Sequence, residues 1–92
     1  MRQLRLKVVG AVGLHARPAA VFVSEAAKFA SKIRVRNATT NSAWVDAKSI
    51  LSVLTLGVEQ NYEIEITAEG PDEAQAAAAL EQLITTDFAG KL

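Results

Sequence analysis

The stretch Leu4-Arg5-Leu6-Lys7-Val8 alternates apolar and charged residues, so Leu4, Leu6 and Val8 share one face and Arg5 and Lys7 the other. A period of two is that of a half-buried strand. From Ala16 the period lengthens. Ala19, Phe22, Val23, Ala26 and Phe29 recur at helical spacing while Ser24, Glu25 and Lys28 face away, which predicts a helix from about Ala16 to Phe29. Alternation returns over Lys32–Arg36, with Ile33 and Val35 inward. Asn37–Ser42 has turn chemistry. A short strand follows over Ala43–Asp46, with Val45 and Ala47 on one side and Trp44 and Asp46 on the other.

Lys48–Gly57 is apolar at Ile50, Leu51, Val53, Leu54 and Leu56. Asp46 and Ser49 are good N-cap residues and Gly57 is a helix stop, so a short helix is expected from about Ser49 to Leu54. Strict alternation then puts Tyr62, Ile64 and Ile66 inward and Glu63, Glu65 and Thr67 outward. Gly70-Pro71-Asp72-Glu73 reads as a helix start, with proline in the first turn and acids at the positive end. Ala76, Ala77, Leu80, Leu83 and Ile84 line the buried side of that last helix. The order is β-α-β-β-α-β-α. Strands that all alternate suit a sheet with one wet face, and three amphipathic helices cover the other, giving a two-layer α+β sandwich.

Composition narrows the chemistry. Ninety-two residues, 50% of them hydrophobic, are expected to form one domain over residues 1–92 with a core that needs no metal or disulfide staple. The chain has no cysteine, which removes thiolate catalysis and Cys-based zinc sites and fits a reducing, cytoplasmic setting. Apolar runs are too short for a membrane span, and the N-terminal stretch lacks the continuous apolar segment of a signal peptide. Ten basic and ten acidic residues cancel, so no direct nucleic-acid or membrane surface is expected. There is no Walker loop, paired carboxylate set or Mg²⁺ cluster, and no cofactor or metal is expected.

The chemistry concentrates in Gly13-Leu14-His15-Ala16-Arg17-Pro18-Ala19-Ala20, which holds the only histidine. Gly13 permits a sharp turn and Pro18 fits a first helical turn, so His15 falls at or just before a helix N-terminus. That end carries unpaired N–H groups and partial positive charge. Arg17 adds a permanent charge with a forked donor geometry suited to phosphate. An anion site with a nucleophile inside it follows: a neutral imidazole attacks, and the helix end and Arg17 hold the transferred group. With two positive neighbours, His15 is expected to titrate below the reference value of roughly 6.5. On physics alone, a histidine at a helix start is more often a cap or a surface residue, and the Arg-Pro that follows lowers those odds only modestly.

That octapeptide, with Ala47-Lys48-Ser49-Ile50-Leu51 through Thr55-Leu56-Gly57-Val58 and Glu63–Glu73 in the same order and spacing, resembles the HPr family of histidine-containing phosphocarriers of the sugar phosphotransferase system. The resemblance implies an open-faced β-sandwich, a four-stranded antiparallel sheet covered on one face by three helices. It implies that His15 takes a phosphoryl group on Nδ1 from phosphorylated enzyme I and passes it to the A domains of sugar permeases. Arg17 and the backbone of Ala16 and Arg17 would stabilise the phosphate. The chain would be a monomeric phosphoryl relay more than an independent catalyst. Ser49 matches a regulatory serine phosphorylated by an HPr kinase/phosphorylase, whose product partners a catabolite-control transcription factor; a plain N-cap is its other reading.

Ala20, Ile50, Leu51 and Leu54 match the family's docking patch, with Leu51 expected to be the most exposed of the three on the short helix. Val12 replaces a small polar residue usual in the family, so the loop before His15 is expected to be less tightly held. The family strand order 1-4-2-3 would set Glu63 and Glu65 between Arg5/Lys7 and Arg34/Arg36, neutralising the open face. Two alternatives remain: a regulatory branch, either of the nitrogen-type phosphotransferase chain or acting mainly through Ser49 and a transcription factor, and a ferredoxin-like binding module that takes no phosphate.

Overall fold

The computed structural model describes residues 1–92, and strand β4 (Glu63–Glu69) is the element on which its other parts converge. It lies between β1 (Arg2–Lys7) and β2 (Lys32–Asn37), and β2 in turn pairs with β3 (Val45–Asp46). All pairings are antiparallel, in the order β1-β4-β2-β3. Helices α1 (Ala16–Ala26), α2 (Ile50–Leu54) and α3 (Glu73–Thr85) complete the β-α-β-β-α-β-α order. Ile64, Ile66 and Ala68 point from β4 into the core, where they join Ile33 and Val35 of β2 and Phe22 and Leu80 of the helices. Phe22 is fully buried, and burial of such a side chain stabilises by about 2–3 kcal/mol.

The opposite face of the sheet is polar, and its register sets the ion pairs. Glu65 stands between Arg5 and Arg36, and Lys7 stands opposite Glu63. Arg36 holds Glu65 through Nε at 2.7 Å, while Arg5 reaches diagonally to Glu63 at 2.5 Å. Arg34 departs from expectation: its neighbours across the sheet are Thr67 and Asp46, so no glutamate neutralises it. Trp44 lies on this face with the Arg36 guanidinium 5.4 Å from its ring centre.

Three local differences from the sequence reading fall at the ends of elements, and at two of them a polar side chain meets a partner distant in sequence. Helix α1 ends at Ala26, not near Phe29: Lys28 and Phe29 donate backbone N–H to the Glu25 and Ala26 carbonyls, only three residues back, so the chain leaves α-helical bonding in tighter turns. Ala30 and Ser31 donate backbone N–H to the Asp72 carboxylate at 2.8 and 2.9 Å. Asp72 stands at the N-cap of α3 yet does not cap it with its side chain, and Pro71 lies outside the helix rather than in its first turn. Asn37, expected in a turn, is the buried last residue of β2. Its Nδ2 donates to the Leu56 carbonyl at 2.9 Å and its Oδ1 accepts from the Thr40 N–H at 3.1 Å, so its burial leaves no polar atom unpaired.

Candidate functional site

Leu14 anchors the segment before α1: its side chain is buried and its N–H donates to the Val58 carbonyl at 3.0 Å. Gly13 lies directly against the same strand of chain, at φ +62. The Gly13 N–H closes a turn on the Gly10 carbonyl at 3.0 Å. Backbone bonds and one buried leucine therefore fix the loop, with Val12 exposed and contributing no side-chain bond.

His15 follows as the N-cap of α1, in extended backbone conformation, and its side chain caps nothing. The ring is free to face outward, and the side chain is 38% exposed. Ala16, the first helical residue, has φ +47, a left-handed value that L-residues other than glycine adopt at a cost. Ala16 and Arg17 donate their backbone N–H to no group in the chain, and Pro18 has none to donate. Pro18 is buried, which plants the first turn on the core while Ala16 and Arg17 stay at the surface. The Arg17 guanidinium makes no ion pair. His15, Ala16 and Arg17 thus present a nucleophilic ring, two free N–H donors and an unpaired cation at one helix end.

One neighbour lay outside the sequence reading. Glu59, in the turn between α2 and β4, places Oε2 3.0 Å from His15 Nε2. The two residues are 44 positions apart, and nothing in the local pattern around Glu59 marks it. The two cationic neighbours inferred for the imidazole are therefore joined by an anionic one. His15 Nδ1 has no hydrogen-bond partner.

Ser49 is the N-cap of α2, its Oγ accepting from the Ser52 N–H at 3.3 Å. Helix α2 buries Val53 and turns Ile50, Leu51 and Leu54 outward, at 37%, 75% and 36% exposure. Leu51 is the most exposed of the three, and α2 packs beside α1, on which Ala20 is also exposed. An exposed apolar patch so formed adjoins the helix that carries His15.

No cavity reaches His15. The largest, about 580 Å³, is a groove lined by Lys32, Arg34, Trp44, Asp46 and Lys48 at the β2–β3 side of the molecule. No group of three or more His, Cys, Asp or Glu side chains is placed to hold a metal ion, and no helix is long and apolar enough to cross a membrane.

A family model described as the PTS HPr component phosphorylation site matches residues 3–86. A multiphosphoryl transfer protein of Vibrio cholerae is 52% identical over 68 residues; that match covers 74% of this chain, which spans only 17% of the relative's length. A phosphocarrier protein HPr of Treponema pallidum is 40% identical over 83 residues, covering 90% of this chain and 91% of the relative. The crystal structure of HPr-C-His from Thermoanaerobacter tengcongensis superposes with a TM-score of 0.91 at 41% identity, covering all of both chains.

Proposed function

The chain belongs to the HPr family, the phosphocarriers of the phosphotransferase system, and from that premise we propose that His15 is its phosphoryl acceptor, charged by phosphorylated enzyme I and discharged to the A domains of sugar permeases. One observation carries this reading: a half-exposed imidazole stands on an open surface, beside two free backbone N–H groups and the unpaired Arg17, with no cavity around it. A free helix end and a guanidinium suit a phosphoryl group. The lack of an enclosing pocket suits delivery by another protein's surface rather than capture of a small molecule. Residues 1–92 act as one monomeric, cytoplasmic unit, and Ala20, Ile50, Leu51 and Leu54 form the surface on which partners dock.

Ser49 is the regulatory site in the same reading, phosphorylated by an HPr kinase/phosphorylase, with a catabolite-control transcription factor as the partner of that form. Its support is position: Ser49 caps α2, which bears the docking leucines. A phosphate at a helix N-terminus is tolerated by the helix, so its effect falls on the surface partners read.

The test is transfer from phosphoenolpyruvate through purified enzyme I, with the wild type beside His15→Ala. Acid-labile label on the wild type alone is the expected result. Equal label on both variants, or none on the wild type with an enzyme I active on another carrier, contradicts it.

A further inference from the structure

Glu59 and His15 are brought together by two segments whose backbones touch. A Cβ built on Gly13 would stand 2.1 Å from the Val58 carbonyl oxygen and 2.9 Å from the Glu59 Cα. On the other side, the turn that carries Glu59 is tied to β1 and its exit: Asn61 N–H donates to the Val8 carbonyl at 2.6 Å, and Gln60 Nε2 to the Val9 carbonyl at 3.2 Å. Tyr62 N–H closes the turn on the Glu59 carbonyl at 3.1 Å. The carboxylate is therefore delivered to Nε2 by fixed backbone, although both side chains remain partly open to solvent.

An ionised carboxylate only accepts, so the 3.0 Å contact requires a proton on Nε2. In a neutral imidazole that proton leaves the lone pair on Nδ1. We infer that Glu59 is a positioning residue for the relay, holding the proton on Nε2 through both the loading and the unloading of Nδ1. This rests on His15 being the phosphoryl acceptor.

The balance of each step supports the assignment. In loading, the Nδ1 lone pair forms the N–P bond, the donor's bond to phosphorus breaks, and its electron pair leaves with the donor. The ring becomes a phosphorylated imidazolium, its new positive charge facing the Glu59 carboxylate through Nε2–H. In unloading, the receiving nucleophile bonds to phosphorus, the N–P bond breaks and its pair returns to Nδ1. The ring is again neutral with its proton on Nε2. Glu59 acts through His15 and no proton changes place, so both directions use one arrangement. Arg17 and the helix end act on the phosphoryl oxygens, and Glu59 acts on the far side of the ring.

The test joins a spectroscopic readout to a rate. In ¹⁵N-labelled unphosphorylated protein, at a pH where the ring is neutral, the wild type is expected to show a protonated Nε2 and an unprotonated Nδ1. In Glu59→Ala the two resonances should move toward each other, and transfer from enzyme I should slow about tenfold, the scale of one lost hydrogen bond to a charged group. Glu59→Gln keeps an acceptor for Nε2–H but no charge; it should retain the wild-type ¹⁵N pattern and transfer between the other two. A wild-type ¹⁵N pattern in Glu59→Ala, or wild-type rates in both variants, overturns the inference. The ¹⁵N readout needs no phosphoryl donor. A wild type that accepts no phosphoryl group therefore defeats the reading of His15 while leaving the Glu59–His15 contact measured by itself.

Discussion

Gly13 and Val58 are in such close contact that a Cβ on the glycine would overlap the valine carbonyl oxygen, at 2.1 Å. That oxygen also accepts from the next N–H of the chain, Leu14, at 3.0 Å. The loop leading to His15 and the turn bearing Glu59 are thus one packed unit, and glycine is required there by contact as well as by its φ of +62.

Gly13→Ala should therefore destabilise the fold by about 2 kcal/mol or more, from the left-handed backbone and the displacement of Val58. Urea denaturation measures it. An unchanged midpoint would mean that the two segments are not in contact in solution.

Ala16 has the opposite misfit, an L-residue at φ +47 where glycine would be unstrained. Ala16→Gly should leave stability unchanged or raise it by up to about 1 kcal/mol. Ala19→Gly, three residues on in the buried interior of α1, should lower it by about 1 kcal/mol. Equal losses in the two variants would contradict the strained start of α1.

Asp72 supplies an acid-sensitive tie between the α1–β2 link and the start of α3. The Ser31 hydroxyl, followed by the Ala30 and Ser31 backbone N–H groups, holds its carboxyl below the ordinary aspartate value. A depressed folded-state value means stability that is fully present above the ordinary value near 4 and is lost as pH falls through the folded one. Asp72→Asn should therefore be less stable than the wild type at neutral pH, with the gap closing as the solution is acidified below about pH 4. Urea midpoints of both proteins from neutral pH to pH 2 measure the gap. A gap independent of pH would show that the carboxylate charge is not what Ser31 and Ala30 hold. Glu63, lowered by its hydrogen bond and charge pairing with Arg5, adds to the acid lability of the wild type in the same direction.

Leu51 is three-quarters exposed, so its substitution should separate docking from folding. Leu51→Glu is expected to change stability by less than about 0.5 kcal/mol, as surface substitutions usually do. It should raise the Km of enzyme I for this carrier about tenfold or more, as loss of an apolar interface anchor does. Thermal melts and initial transfer rates read the two effects. An unaltered Km would remove Leu51 from the docking surface.

Period explains why the fold was legible in the sequence. Each strand has one wet face, so Leu4/Leu6, Ile33/Val35 and Ile64/Ile66 mark their sides by alternation. The stripe of Ala76, Ala77, Leu80, Leu83 and Ile84 marks α3 in the same way. His15, Arg17 and Ser49 were legible because they lie at helix ends, where local chemistry fixes the geometry. What escaped were polar pairings between distant residues. Asp72 looks like a cap for its own helix until Ser31, 41 positions away, arrives beside it. Asn37 resembles a turn residue until the Leu56 carbonyl needs its amide. Glu59 is one acid among ten until folding sets it on the imidazole. Arg34 misled for a related reason, since strand order alone does not fix which residues stand opposite one another.

The most direct measurement is the site of the phosphoryl group itself. Uniformly ¹⁵N-labelled protein, phosphorylated from phosphoenolpyruvate through enzyme I, is read by ³¹P and ¹⁵N NMR. The expected result is a single phosphoryl group whose phosphorus couples to Nδ1 of His15, with Nε2 unsubstituted. A phosphoryl group on Nε2, or on Ser49 with His15 unmodified, would contradict the account.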